Sequence, residues 1–247
     1  MKRLPTLTLI AAVMLWTQIA SAQTITWKVD GETRLAILYA PSTKSAGEKA
    51  PLVFSFHGHG DDIQNFQYTG IHRMWPEAVV VYFQGLPSRD GLSGWQVEKG
   101  EYNDRDLKLV DAALASLRGR FKLDDTRIYA TGFSNGANFT YLLWAERPGV
   151  FAAYAPVAAR LRSSVHLTQP KPLFHIAGIR DSQIPFADQK SAIEIARRVE
   201  AVVPDVEDLV VAVVAARVVG FFERDLRPDR VAHLLECLRD QRRADGP

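Results

Sequence analysis

Residues 127–144 read RIYATGFSNGANFTYLLW. The segment opens on Arg127–Ala130, a short run with β-branched and aromatic side chains. It passes through Gly132-Phe133-Ser134-Asn135-Gly136 and continues as the largely apolar Asn135–Trp144. The reading is strand, tight turn, helix. A Gly-x-Ser-x-Gly turn in that context holds its serine on a sharp, strained bend, with the hydroxyl lifted clear of the sheet. The helix N-terminus behind it favours developing negative charge. Ser134 is therefore a candidate nucleophile. The plainer alternative is a glycine turn whose serine caps a helix.

Working outward, strand and helix patterns alternate. Thr24–Val29 and Arg34–Tyr39 flank Asp30-Gly31, a hairpin signal. Leu52–Phe56, Ala78–Phe83, Ala152–Val157 and Leu173–Ile176 read as strands. Asp104–Leu117 carries Leu107, Val110, Leu114 and Leu117 at helical spacing, and Ala187–Val199 reads as a further helix. Strands alternating with helices of this length predict an α/β fold with a mostly parallel central sheet covered on both faces. Residues 23–200 read as one such domain.

Two loops join Ser134 as candidates. His57-Gly58-His59-Gly60-Asp61 follows the strand Leu52–Phe56. A Gly-rich loop there can supply a backbone N–H to an oxyanion, from His59 or Gly60, while the residue after the nucleophile, Asn135, supplies the other. A metal site from His57, His59 and Asp61 is the rival, with His72 the nearest further histidine. After Leu173–Ile176 comes Ala177-Gly178-Ile179-Arg180-Asp181. A carboxylate in that loop, after the nucleophile in chain order, can orient and charge-stabilise a catalytic imidazole. Asp188 is the weaker rival for that role.

The ends differ from the middle. Lys2 and Arg3, an apolar run from Leu4 to Trp16, and Ala20-Ser21-Ala22 read as a secretory leader over residues 1–22. The expected location is secreted or periplasmic. Removing the leader takes two basic residues, which cancels the formal charge of +2 and gives no reason to expect nucleic acid. One cysteine, Cys237, excludes an intrachain disulfide. Residues 201–247 contain no Ser, Thr, Asn, Lys, Ile, Met, Tyr or Trp, and nine of residues 201–220 are Val. Leu209–Val214 reads as a buried strand and Arg230–Arg243 as a helix. Two origins fit this composition: a native Val-rich ending, or GC-rich DNA read in an unintended frame.

With these residues together, the chain resembles the polyhydroxybutyrate depolymerase-like esterases, an α/β-hydrolase group with feruloyl and acetyl-xylan esterase relatives. Pro51–Gly58, Gly94-Trp95-Gln96, Asn103–Asp106, Asp125–Gly136 and Ala177–Pro185 carry the resemblance, which runs from about Trp27 to Arg198. It implies hydrolysis of carboxylic esters without metal or organic cofactor, on a small-molecule or polymeric ester. It also implies Ser134 as nucleophile, Asp181 as acid, and His59 and Asn135 as oxyanion donors. The chain departs from the family in one place. No Gly-Gly-His-aromatic motif follows Asp181, and His233, in a helical context, is the only histidine beyond it. The alternative reading is thus a hydrolase-fold protein impaired by loss of its base. His166 and His175 precede Asp181, and packing or surface contact is their expected role. Trp95, Trp144, Tyr102 and Phe133 are candidates to line an aromatic-ester pocket, with ordinary core as the plainer expectation. Asp104 and Asp106 are expected to cap the helix that follows them.

Overall fold

A computed structural model describes residues 22–42 and 47–200, together with the backbone of a strand at 209–214. The leader apart from its last residue, most of the Val/Arg-rich segment, His233 and Cys237 lie outside the described residues. In chain order come β1 (Ala22–Val29), β2 (Glu32–Tyr39), β3 (Ala50–Phe56), the short helices α1 (Ile63–Phe66) and α2 (Ile71–Met74), and β4 (Val79–Phe83). A small hairpin, β5 (Leu86–Pro87) and β6 (Ser93–Gly94), precedes α3 (Arg105–Arg120). β7 (Leu123–Phe133), α4 (Asn135–Glu146), β8 (Ala153–Val157), β9 (Leu173–Gly178), α5 (Phe186–Glu200) and β10 (Leu209–Val214) complete the series.

Eight strands form one sheet in the order β1-β2-β4-β3-β7-β8-β9-β10. β1 and β2 pair antiparallel through the expected two-residue turn. Asp30 and Gly31 both have positive φ there, 50° and 86°, the mirror-image turn that follows strand twist. From β4 to β10 every neighbouring pair is parallel. β10 lies beside β9 from Leu209, opposite Leu173, to Val214, opposite Gly178, so the strand expected in the Val-rich segment belongs to this sheet.

All seven residues of β3 are buried, because both sheet faces are covered. Phe54 and Phe56 join Val79, Val81 and Phe83 in one cluster, with Leu107, Val110, Leu114 and Leu117 of α3. Val53, Val80 and Tyr82 point to the opposite cluster, among Ile63, Phe66 and Trp75. Alternate residues of each strand thus feed opposite layers. Each fully buried side chain of α3 contributes about 1.5–3 kcal/mol as an upper bound.

The capping expectation for Asp104 and Asp106 is corrected. Asp104 occupies the cap position of α3 in a left-handed conformation, yet its side chain caps nothing. Its Oδ1 instead accepts from the Gly100 N–H at 2.7 Å and from Gln96 Nε2 at 2.9 Å. The cap is Gln96, whose Oε1 accepts from the N–H groups of Asp106 (3.0 Å) and Leu107 (3.2 Å). Asp106 is wholly buried and pairs with Arg34 of β2 at 2.6 Å, which ties the second strand of the sheet to α3.

The parallel strands end together. Phe56 of β3 lies opposite Gly132 of β7, Phe133 opposite Val157 of β8, and Val157 opposite Ile176 of β9. The loops after β3, β7 and β9 therefore open at one edge of the sheet, the carboxyl end where open α/β sheets place their ligands.

Candidate active site

Ser134 links β7 directly to α4 with φ 52° and ψ −111°, a left-handed conformation for a residue with a Cβ. Such strain costs on the order of 1–3 kcal/mol and persists only where the surroundings over-determine it. Here the Ser134 N–H donates to Val157 O at 2.9 Å, and its C=O accepts from Asn138 N–H at 2.9 Å. The turn is tight enough that Gly136 has no room for a side chain. A Cβ there would run into the carbonyl oxygens of Phe56 and His57, the end of β3. Ser134 makes no side-chain cap hydrogen bond with α4, so the plain capping alternative does not hold.

The loop after β3 approaches from the other side. His57 is fully buried and both its ring nitrogens are engaged. Nε2 accepts from the Gly85 N–H at 2.9 Å, which leaves Nδ1 as the donor to Gly58 O at 2.6 Å. Burial, foremost, holds its pKa below the ordinary value. His57 is thus a structural pin, and the metal rival loses its first ligand to these bonds. His72 is stacked on Tyr39 and bonded to Tyr82 Oη. Among the described residues no group of three or more His, Cys, Asp or Glu could hold a metal ion.

His59 turns its side chain outward, with Nε2 at 2.7 Å from Asp90 Oδ2. Hydrogen bonds from His59 and from the Leu92 N–H hold the Asp90 carboxyl below its ordinary range. The Gly60 N–H is already donated to Ser93 O at 2.8 Å, whereas no partner for the His59 N–H is found among the described residues. Of the two loop donors left open by the sequence, His59 is the available one. Asn135, at the first position of α4, has an N–H without an intrahelical partner. Its side chain is fixed to Trp95, accepting from the Trp95 N–H at 2.7 Å and donating to Trp95 O at 3.2 Å.

Asp181 follows β9 as expected. Its Oδ1 accepts from the N–H groups of Gln183 (2.8 Å) and Ile184 (3.0 Å), and its Oδ2 accepts from Gln189 Nε2 at 3.1 Å. The fully buried Gln189 is anchored in turn by Ile184 O and the Gly178 N–H. Ser134, Asp181 and His59 line one cleft of about 660 Å³, together with Phe133, Tyr68, Ile184 and others. Asp188 does not line it.

The remaining candidates fall elsewhere. Trp95 and Trp144 are core residues, Tyr102 stacks under Arg105 on another face, and Phe133 alone of the four aromatics lines the cleft. His175 is buried against Tyr141 Oη at 2.8 Å, and burial lowers its pKa to about 4. His166 is exposed. Gln189 and Asp90 escaped the sequence reading, because nothing local marks a polar residue whose partner lies on another segment. The sequence signal for Gly94 and Gln96 was the Gly-Trp-Gln match alone.

Strained serine at a strand-to-helix turn, converging loops and strand order together define the class: the chain has the α/β-hydrolase fold. Its TM-score is 0.66 against an esterase from the planctomycete Thermogutta terrifontis, over 89% of this chain and 92% of that one, at 14% identity. No family model matches the chain. In sequence it is similar to esterase-like members of the class. It is 31% identical over 165 residues to the candidate esterase NocK of Nocardia uniformis subsp. tsuyamanensis, covering 64% of this chain and 48% of that one. It is 28% identical over 156 residues to the bifunctional acetylxylan esterase/xylanase XynS20E of Neocallimastix patriciarum, covering 60% of this chain and 22% of that one. The matched part thus spans about half and about a fifth of these relatives.

Proposed function

We propose that the protein is a secreted serine hydrolase of carboxylic esters. The observation that carries this reading is Ser134, held at φ 52° where β7 meets α4 and opening into a cleft that Asp181 and His59 also line. In this mechanism Ser134 Oγ attacks the ester carbonyl carbon as its proton passes to the base, which then returns that proton to the departing alcohol. The negative charge moves to the carbonyl oxygen, which accepts hydrogen bonds from the N–H groups of His59 and Asn135. Collapse expels the alcohol and leaves an acyl-enzyme, and water then releases the acid. Asp181 orients the base through its Oδ2, while Gln189 and two backbone N–H groups hold the carboxylate still. The esterase names of the sequence relatives favour an ester over an amide substrate.

The candidate base in this reading is His233, the one histidine after Asp181 in the sequence, which lies outside the described residues. Of the six histidines, His57, His72 and His175 are locked in the core, His59 is paired with Asp90, and His166 is exposed on a loop. The same observation favours one alternative, an impaired hydrolase with no base. Hydrolysis of p-nitrophenyl acetate by the full chain, by Ser134→Ala and by His233→Ala separates the two. The proposed enzyme loses roughly a thousandfold or more in kcat with either substitution. Turnover by Ser134→Ala equal to that of the parent refutes the nucleophile. Turnover unchanged in His233→Ala alone returns the protein to the impaired class.

A further inference from the structure

We propose that the β5–β6 hairpin, Leu86–Gly94, is a brace that sets the spacing of the two oxyanion donors, and that Asp90 is its positioning residue, acting through His59. The inference rests on the oxyanion reading above. What it adds is the origin of the spacing, which neither donor segment determines by itself.

The ties run to both donors from one short element. Toward the loop after β3, the Gly60 N–H donates to Ser93 O at 2.8 Å and Ser93 Oγ donates to Asp61 O at 2.5 Å. Asp90 Oδ2 meets His59 Nε2 at 2.7 Å, while Asp90 Oδ1 accepts from the Leu92 N–H, so the turn itself aims the carboxylate. Toward α4, Trp95, the residue after β6, bonds the Asn135 side chain through both its N–H and its C=O. The Trp95 indole N–H also donates to His57 O at 2.9 Å.

Gly94 is the point where the two sets meet. A Cβ there would lie 2.9 Å from His59 Nδ1, 3.1 Å from Asn135 Oδ1 and 2.6 Å from Ser88 Oγ. One methyl group at this position therefore presses on both donor residues at once. An oxyanion hole works only if its donors are already at hydrogen-bond distance from the developing charge. Moving them apart penalises the transition state and leaves ground-state binding nearly untouched. Asp90 and His59 are partly exposed, at 55% and 39% of the side chain, so their tie is the weak one of the set.

Steady-state kinetics of the full chain on p-nitrophenyl acetate test the brace, with Ser134→Ala as the reference arm. Asp90→Asn is expected to lower kcat about two- to fivefold with KM within about twofold, as suits one partly exposed tie. Asp90→Glu, which keeps the carboxylate, is expected to recover most of that loss. Gly94→Ala is expected to lower kcat by roughly tenfold or more, again with KM little changed. If Gly94→Ala does not fold, the Asp90 pair decides alone. A parent-like kcat in Asp90→Asn, or a loss that appears only in KM, overturns the brace. If Ser134→Ala is inactive while both brace variants match the parent, the brace fails and the esterase reading stands. If Ser134→Ala matches the parent, the esterase reading itself fails.

Discussion

Gly136 carries the geometry of the site at the scale of one residue. Its α-hydrogen faces the carbonyl oxygens at the end of β3, so α4 can begin close enough to the sheet for Ser134 to stand at the strand edge. Gly136→Ala places a methyl group against backbone that has no rotamer to give way. It is expected to cost about 2–4 kcal/mol in a urea unfolding curve, above an ordinary surface substitution. A loss within 0.5 kcal/mol, the usual range for surface changes, would mean that the turn is looser than described. The turn at Ser134 and the loop position of Asp181 were legible in the sequence because each has a local signature: a glycine pair around a serine, and a carboxylate just past a strand. Gln189 was not. It earns its role by reaching from α5 to Asp181, Ile184 and Gly178, contacts that no spacing rule encodes.

At the scale of an element, α3 shows how local rules mislead. Two aspartates before an apolar periodic run suggest a cap. The apolar positions Leu107, Val110, Leu114 and Leu117 are indeed buried, but the cap comes from Gln96, eight residues before Asp104. Gln96 is fully buried, so Gln96→Ala leaves two helix N–H groups without a partner and the Asp104 carboxylate with only the Gly100 N–H. About 2 kcal/mol of stability is the expected loss by chemical denaturation. Asp106 is freed from capping and instead neutralises Arg34, with both side chains inaccessible to solvent. Arg34→Met removes the nearest partner of that carboxylate, leaving the Gln96 N–H and the more distant Arg105 at 3.7 Å, and is expected to destabilise by about 3 kcal/mol. An unfolding midpoint unchanged in Arg34→Met would show that Asp106 finds water or another partner.

For the whole molecule, buried histidines give a pH signature. Burial, foremost, lowers the pKa of His175 and of His72 from 6.5 to about 4. Above about pH 7.5 neither state binds these protons, so the two groups leave stability unchanged. Between roughly 6.5 and 4 the unfolded chain protonates them while the native fold does not. Unfolding free energy then falls with pH, by about 1.4 kcal/mol per unit for each histidine. His57 shifts in the same direction. Denaturant midpoints should drop steadily across that window, and a flat profile would place these rings in contact with water.

By itself, the sequence determined the alternation of strands and helices, the Asp30-Gly31 turn, the elbow at Ser134 and the loop carboxylate at Asp181. All of these follow from short-range periodicity, glycine placement and order along the chain. Only the tertiary structure decided that His57 is a pin rather than a ligand. It alone showed that the Gly60 N–H is spent while no partner of the His59 N–H is found among the described residues. It likewise decided that Asp106 serves an ion pair, and that the Asn135 side chain bonds the backbone of Trp95, forty residues earlier. The physical reason is common to them. A hydrogen-bonding group has several possible partners in the sequence, and which one it meets is fixed only when the strands align and bury it.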